Sequence, residues 1–299
     1  MEDIRAKDII RQNMREAKDS LERRRSVYDA HIKELAYILV REVCQDDTDE
    51  LDVLCDRLRE QYSDFVTRIP FEQCDNDMGV RFCAWVADEI AEKGIIKETI
   101  PDFEELFGTD EIRVARLPNR LADEAYALFA ERIGRLDPNV IDNIADVCED
   151  VVYGRSELCM LPVYSSVDGI MQNVCRHIAK NGLSPVMLCD LSTDDDFFVR
   201  FALLASAPCK TQKAEAAVVT VIGCDPTDVF RLSYAIAQYG GSVVDINSLA
   251  FSLYEGTRAW QIIFSTHGAD ILKIYIFLAV HFRRFEINGI CEIITEDEL

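Results

Sequence analysis

The C-terminal part of the chain alternates short apolar strands with amphipathic helices, and the order of these elements restricts the fold more than any other feature. Ala217–Ile222 is a run of mainly β-branched residues and predicts a buried strand. Asp225 and Pro226 offer an N-cap and a first helical residue, and Gly240 and Gly241 end that helix. The pattern continues with two strands, a helix and a last strand over residues 242–252, 258–265, 269–281 and 285–294.

This order, βαββαβ, is that of the ferredoxin-like split βαβ fold, and we expect residues 216–299 to form one such domain. The helix over residues 269–281 is apolar on nearly every side, which predicts that it is buried. A second copy of the domain is one candidate for what covers it.

Residues 109–207 carry a second alternation of strands and helices. The predicted strands are 112–117, 139–142, 158–163, 185–191 and 197–204, and the predicted helices are 121–133, 144–153 and 167–180. Such alternation predicts an α/β lobe with a mostly parallel sheet that is covered on both faces.

Two segments of this lobe resemble prephenate dehydratases. Leu161–Gly169 has the sequence LPVYSSVDG and resembles their LPIENSxxG segment, and Val199–Phe201 resembles their TRF motif. The order is also similar, with an αβ lobe, the arginine-containing strand, a linker and then an ACT domain, to which the βαββαβ module corresponds. The resemblance implies a place in aromatic amino-acid metabolism, an aromatic amino acid or prephenate-like ligand, and a homodimer formed through the ACT-like domain.

The chain also departs from that family in two ways. Members of the family build a second lobe between these two motifs and bind substrate between the lobes, whereas here only the polar residues Ser192–Asp196 separate two strands, which favours a hairpin. Val199 stands where the family has the threonine tied to departure of the ring hydroxyl. General acid assistance contributes about 10²- to 10⁴-fold to a rate, so its loss would be severe.

The candidate site residues follow from the same resemblance. If the chain is active, the catalytic residues are Ser165, Ser166 and Arg200, and Arg200 either holds a carboxylate bidentately or forms an ion pair. The ligand-binding candidates occupy the positions of the phenylalanine-binding turns of ACT domains, although neither motif is kept; they are Asp225, Thr227, Asp228, Asn247 and Ser248. A helix N-terminus attracts a carboxylate, but the charges of Asp225 and Asp228 oppose such an anion.

Residues 1–108 are predicted to be helical, with helices over Asp3–Val43, Asp49–Ile69 and Asn76–Glu92. A helical segment before a dehydratase-like lobe is similar to the chorismate mutases fused there. The one basic cluster, at residues 23–25, is consecutive and points in different directions on a helix, so we favour a packing or dimerisation bundle over a mutase site.

Composition limits the partners and cofactors. A net charge of −22 argues against nucleic acid or an anionic membrane as partner. Eleven cysteines without a C-x-x-C pair, and no recognisable signal peptide, favour a reducing cytoplasm. Neither a metal-ligand spacing nor a nucleotide-binding glycine motif is present, so we expect no metal and no cofactor.

Three functional hypotheses remain. The first is a catalytically degenerate relative of prephenate dehydratase that acts as a regulatory protein and binds a small carboxylate or an amino acid. The second is an active prephenate dehydratase, and the third is a dimerising scaffold without a ligand. We favour them in that order.

Overall fold

The computed structural model describes residues 2–43, 56–63, 76–93, 100–108, 110–192, 197–249 and 257–295. The chain divides into two compact units, one of Met1–Ile96 with Tyr275–His281 and one of Lys97–Ile274 with Phe282–Leu299. The first unit is helical, and the second contains every described strand.

The helical unit contains α1 (Glu2–Val43), α2 (56–63), α3 (Asn76–Glu92) and the end of α9 (Ile271–His281). The predicted first and third helices are confirmed. Of the helix predicted over residues 49–69, residues 56–63 are helical and the others lie outside the described residues. Among the residues of α1 whose side chains are described, the buried apolar ones lie in its C-terminal part, at Ile32, Ala36, Leu39 and Val40.

Helices of the same chain cover the apolar end of α9. Arg59 Nε donates a hydrogen bond to the carbonyl oxygen of Ala279 at 2.5 Å. The ring of Tyr62 meets the ring of His281 edge to face, with 5.1 Å between ring centroids. Gly79 lies so close to His281 that a Cβ there would be 2.8 Å from the imidazole. The burial predicted for α9 therefore comes at least in part from its own chain rather than from a second copy.

In the described residues of the second unit there are four further helices before α8, and ten strands. Its elements are α4 (Phe103–Phe107), β1 (Ile112–Arg116), α5 (Arg120–Ile133), β2 (Leu136–Val140), α6 (Ile144–Val152), β3 (Leu158–Ser165), β4 (Gly169–Ile170), α7 (Gln172–Lys180), β5 (Ser184–Ser192), β6 (Phe198–Ala205), β7 (Ala216–Ile222), α8 (Pro226–Gln238), β8 (Ser242–Leu249), β9 (Ala259–Ser265) and β10 (Phe285–Thr295). The strands form one sheet in the order β2-β1-β3-β6-β5-β10-β7-β9-β8, and β4 pairs with β3.

The C-terminal half of this sheet has the predicted ferredoxin-like topology. Strands β10, β7, β9 and β8 are neighbours in that order and pair antiparallel, and α8 and α9 follow β7 and β9 along the chain. Helix α8 begins as predicted, because the side chain of Asp225 accepts hydrogen bonds from the amides of Thr227 and Asp228 and Pro226 occupies the first turn. Gly240, at φ 86°, follows its end.

The prediction of a mostly parallel sheet in residues 109–207 is wrong, because only the β2-β1-β3 part of that lobe is parallel and β6 is antiparallel to both β3 and β5. The helix predicted over residues 167–180 also begins later, at Gln172. Gly169, at φ 75°, completes a tight turn that pairs β4 with β3. Strand β2 begins before the predicted residue 139 and contains Pro138, which an edge strand tolerates.

Strands β5 and β6 form the hairpin that the short polar connection predicts. Their pairing extends to Ser192 opposite Phe198, and residues 193–196 lie outside the described residues. Strand β10 pairs with β5 on one side and with β7 on the other, so the two halves share one sheet. The two meet closely at Gly289, where a Cβ would lie 2.6 Å from the carbonyl oxygen of Pro185.

Candidate functional site

A buried ion-pair cluster around Arg200 is the most distinctive polar feature of the sheet. Arg200 lies on the central strand β6, opposite Asp190 on β5 and opposite Tyr164 on β3. Residues directly opposite each other on paired strands project from the same face, so the register alone brings these three side chains together.

Asp190 takes the Nε–Nη2 pair of N–H donors of the guanidinium. Nε and Nη2 of Arg200 donate to Oδ1 and Oδ2 of Asp190 at 2.6 and 2.8 Å, which is the bidentate geometry that a carboxylate prefers. Nη1 of Arg200 donates to Oδ2 of Asp245 at 3.3 Å. The side chain of Arg200 is only 8% exposed, so these contacts replace most of its hydration.

The protonated state of Arg200 is secured by these partners. Burial by itself would lower the pKa of Arg200, but the hydrogen bonds and charge of Asp190, together with the charge of Asp245, outweigh burial and raise the pKa above its usual value. Arg200 is therefore a permanent cation that its own chain already neutralises.

A cavity of about 90 Å³ lies on the face of the sheet to which Arg200 points. Most of its lining is apolar, from β3, β4, α7 and the strands of both halves of the sheet, and includes Val163, Ile170, Cys175, Ile178, Leu188, Val218, Ile222, Leu249 and Ile263. The polar lining consists of Tyr164, Arg200, Thr220, Asp245, Asn247, Gln261, Glu286 and Asn288. An apolar cavity with a few converging polar groups is the usual form of a small-molecule site.

The cavity exists because the sheet is strongly curved. Four strands separate β6 from β8, which corresponds to roughly 24 Å along a flat sheet. Arg200 on β6 nevertheless contacts Asp245 on β8, so the sheet bends to bring its far edge back towards its centre. The side chain of Gln172 also ties α7 to β8, since its Nε2 donates to the carbonyl oxygen of Ser248 at 3.1 Å.

Two hydrogen bonds within the cavity wall do not involve Arg200. Thr220 Oγ1 donates to Oδ1 of Asn288 at 2.7 Å. Asn247 Nδ2 donates to Oδ2 of Asp245 at 2.9 Å. Arg200 and Asn247 both donate to Oδ2 of Asp245. Oδ1 of Asp245 therefore receives no hydrogen bond from the described residues.

The candidate catalytic residues are only partly brought together. Ser165 is buried and its Oγ accepts hydrogen bonds from the amides of Val167 and Asp168, while Ser166 Oγ accepts from the amide of Phe198. Neither serine is among the described residues that line the cavity with Arg200. Both hydroxyls instead hold the turn after β3 in place.

The position that the family's threonine would occupy faces away from the cavity. Neighbouring residues on a strand project from opposite faces, and Val199 packs with Phe201 in the core on the other side of the sheet. A hydroxyl at residue 199 would therefore not reach the Arg200 cavity.

The candidate ligand-binding residues also separate into two groups. Asp225, Thr227 and Asp228 form the first turn of α8, where the Asp225 carboxylate already accepts the amide hydrogen bonds that a ligand carboxylate would need. These two amides lower the pKa of Asp225, the Asp228 amide contributing most. Asn247 lines the Arg200 cavity, and Ser248 contributes its carbonyl oxygen to the contact with Gln172.

Sequence reasoning identified Arg200 but missed Asp190 and Asp245. Each is a charged residue in an otherwise largely uncharged strand, and such a residue requires a partner when the strand is covered. That signal was present in the sequence, although it could not show which residues are partners.

Several other features bear on function. Among the described residues, no group of three or more His, Cys, Asp or Glu side chains is arranged to hold a metal ion. In the same part of the chain, no helix combines the length and the apolar character that crossing a membrane requires. Cys175, which lines the cavity, is buried, and burial raises the pKa of its thiol to about 12.

No family model matches the chain, and no curated protein matches it. Among solved structures it is similar to the prephenate dehydratase of Streptococcus mutans, with 14% identity over 61% of this chain and 98% of that one and a TM-score of 0.49. It is also similar to the prephenate dehydratase of Arthrobacter aurescens in complex with L-Phe, with 14% identity over 60% of this chain and 90% of that one and a TM-score of 0.48. A quorum-quenching acylase, GqqA, has 17% identity over 60% of this chain and 94% of its own, with a TM-score of 0.47.

Proposed function

We propose that the chain is a catalytically inactive relative of prephenate dehydratases that binds a small amino acid or a related metabolite in the Arg200 cavity and acts as a regulatory protein. The observation that carries this proposal is the bidentate pairing of Arg200 with Asp190. Asp190 takes the Nε–Nη2 pair of Arg200 and Asp245 takes Nη1, so a substrate carboxylate would have to compete with two carboxylates of the chain itself.

The residue at position 199 and the connection between β5 and β6 support the first half of the proposal. Dehydration of prephenate requires a proton donor for the departing ring hydroxyl, and Val199 has none. Its side chain also faces the opposite side of the sheet from Arg200. The direct antiparallel return from β5 to β6 leaves no second lobe between the two motifs that resemble the family.

The cavity supports binding over a purely structural role. A wall that combines a salt bridge, a carboxylate oxygen with no hydrogen bond from the described residues, and amide groups around an apolar interior offers both orientation and burial to a ligand. A water needs about 10–15 Å³ of such volume, so a cavity of about 90 Å³ has room for a small organic molecule. A scaffold would have no need to keep this space unfilled, since well-packed cores contain few voids of that size.

The homodimer is a separate part of the proposal. Strand β8 is an edge of the sheet, and its Val244 and Ile246 are exposed. Phe230 on the neighbouring helix α8 is also exposed. An exposed apolar edge strand is a template for pairing with another chain, and a second copy offers the same surface. Sedimentation analysis of Ile246→Lys beside the unaltered chain tests this, and a monomeric unaltered chain would contradict it.

The binding proposal is tested by thermal-shift measurements on the full chain with leucine, phenylalanine, tyrosine, tryptophan, prephenate and phenylpyruvate. A ligand at a hundred times its Kd should stabilise the protein by about 2.7 kcal/mol. We expect a selective shift with one or more amino acids. The same ligands with Ala202→Phe, which fills the cavity from β6, should give no shift, and the absence of any shift in the unaltered chain would favour the scaffold instead.

A further inference from the structure

The charges around the cavity are unbalanced in one direction. Arg200 is the cation among the described lining residues, and Asp245 contributes a carboxylate 3.3 Å from it. The charge of Arg200 is already matched by Asp190, which lies beside it on β5. A ligand that enters the cavity therefore meets a negative surplus, on a chain whose net charge is −22.

The hydrogen-bonding groups of Asp245 and Arg200 also favour a ligand that donates hydrogen bonds over one that accepts them. From the described residues, Oδ1 of Asp245 receives no hydrogen bond, and Oδ2 receives a contact of 3.3 Å from Arg200 that is long for a charged pair. The N–H groups of Arg200 that are strongly bound go to Asp190. The cavity thus has acceptor capacity to offer at Asp245, whereas the Nε–Nη2 pair of Arg200, which suits a carboxylate best, is already taken.

An aromatic face completes the arrangement. The ring of Tyr164 lines the cavity, and the Arg200 guanidinium carbon lies 5.9 Å from its centroid. The ring of Phe198 also stacks on Tyr164, with 5.7 Å between centroids, and such rings attract a cation placed beside them more than a carboxylate.

We propose that the cavity recognises a primary ammonium group, held by Asp245 beside the ring of Tyr164, on a ligand whose apolar part is a short aliphatic chain. This inference rests on the proposed binding function and names the chemistry of its ligand. A short aliphatic chain is favoured over a phenyl ring with its linker because it has fewer non-hydrogen atoms, and this cavity, at about 90 Å³, is smaller than an engineered cavity of about 150 Å³ that holds a single benzene. A carboxylate on the ligand contributes little, and a simple anion is disfavoured.

Matched probes separate the two ends of an amino acid. 3-Methylbutan-1-amine and 4-methylpentanoate are leucine without its carboxylate and without its amine, and 2-phenylethylamine and 3-phenylpropionate are the same pair for phenylalanine. Calorimetric titration of the full chain at fixed ionic strength measures all four. We expect the aliphatic amine to bind at least about tenfold more tightly than the matching acid, as a charge-assisted hydrogen bond requires, and more tightly than the aromatic amine.

Two variants locate the effect. Asp245→Asn keeps the shape of the side chain and removes its charge, and should weaken the aliphatic amine at least about tenfold. Asp137→Asn is the matched control, because Asp137 forms an exposed ion pair with Arg113 on β1 and does not line the cavity; it should leave the affinity unchanged. The comparison of amine with acid uses the unaltered chain, so it stands even if Asp245→Asn fails to fold.

The outcomes distinguish this inference from the function on which it rests. Equal binding of amine and acid, or tighter binding of the acid, would overturn the ammonium site while leaving an inactive binding protein intact. An amine affinity that is the same in Asp245→Asn as in the unaltered chain would overturn the role of Asp245. Binding of none of the probes or amino acids would overturn both proposals.

Discussion

Removal of Asp190 tests whether the Arg200 cluster is a structural ion pair. In Asp190→Ala, Nε and Nη2 of Arg200 lose both partners, and a guanidinium whose side chain is 8% exposed keeps only the 3.3 Å contact with Asp245. Breaking a buried pair in this way typically costs about 3–5 kcal/mol. Because the side chain of Asp190 is itself 24% exposed, water can reach the vacated position, and we expect the lower end, about 3 kcal/mol.

The assay is urea denaturation of both proteins, with the free energy of unfolding compared at equal slopes. A loss of about 3 kcal/mol corresponds to a fall in Tm of roughly 6–12 °C for a domain of this size. Asp137→Ala is the control, because its pair with Arg113 spans 3.8 Å between side chains that are 47% and 57% exposed; the change should be within about 0.5 kcal/mol. A loss below about 1 kcal/mol in Asp190→Ala would refute the argument that Asp190 is the main partner of buried Arg200.

Three further predictions concern stability and reactivity. Amide hydrogen bonds lower the pKa of Asp225, so its contribution to stability is present above the pKa that this residue has in the unfolded chain and is lost as pH falls through the lower folded pKa. Asp225→Asn should therefore lower the urea midpoint near neutral pH and match the unaltered chain in acid. A difference in midpoint that stays constant with pH would contradict this. Gly289→Ala should destabilise the protein by about 1–3 kcal/mol, because the new Cβ would lie 2.6 Å from the carbonyl oxygen of Pro185; an unchanged unfolding curve would show that β10 and β5 meet less closely. Cys175, with a pKa of about 12, should resist maleimide at mildly alkaline pH while the protein is folded and react after unfolding. Peptide mass spectrometry measures the labelling, and rapid labelling of Cys175 in the folded protein would contradict its burial.

Local signals in the sequence predicted the elements that local chemistry controls. The β7–α8 unit begins at a β-branched run and continues through Asp225, Pro226 and Gly240, each of which has the capping role that its residue type indicates. The βαββαβ order then fixed the ferredoxin-like topology of that half. The predicted start of β2 is misplaced because Pro138 is tolerated in this strand only at the edge of the sheet. The predicted start of α7 is misplaced because the preceding turn is stabilised by the pairing of β4 with β3.

The site was less predictable than the fold because it depends on distant contacts. The resemblance of Val199–Phe201 to a family motif identifies Arg200. That resemblance is compatible both with an ion pair and with a carboxylate-binding role for Arg200. Which partner it has follows from the β5–β6 register, and the approach of Asp245 follows from the curvature of a sheet with four strands between the two residues. Curvature accumulates from small twists over many strands, and no short segment of sequence encodes it.

The most direct test of the central claim is formation of phenylpyruvate from prephenate by the full chain, at a protein concentration close to that of the substrate. We expect no product above the buffer control from the unaltered chain. We expect none from Val199→Thr either, because the side chain of residue 199 faces away from the Arg200 cavity. Product that forms with the unaltered chain and disappears in Arg200→Ala would contradict the claim, since it would show that Arg200 serves a substrate despite its pairing with Asp190.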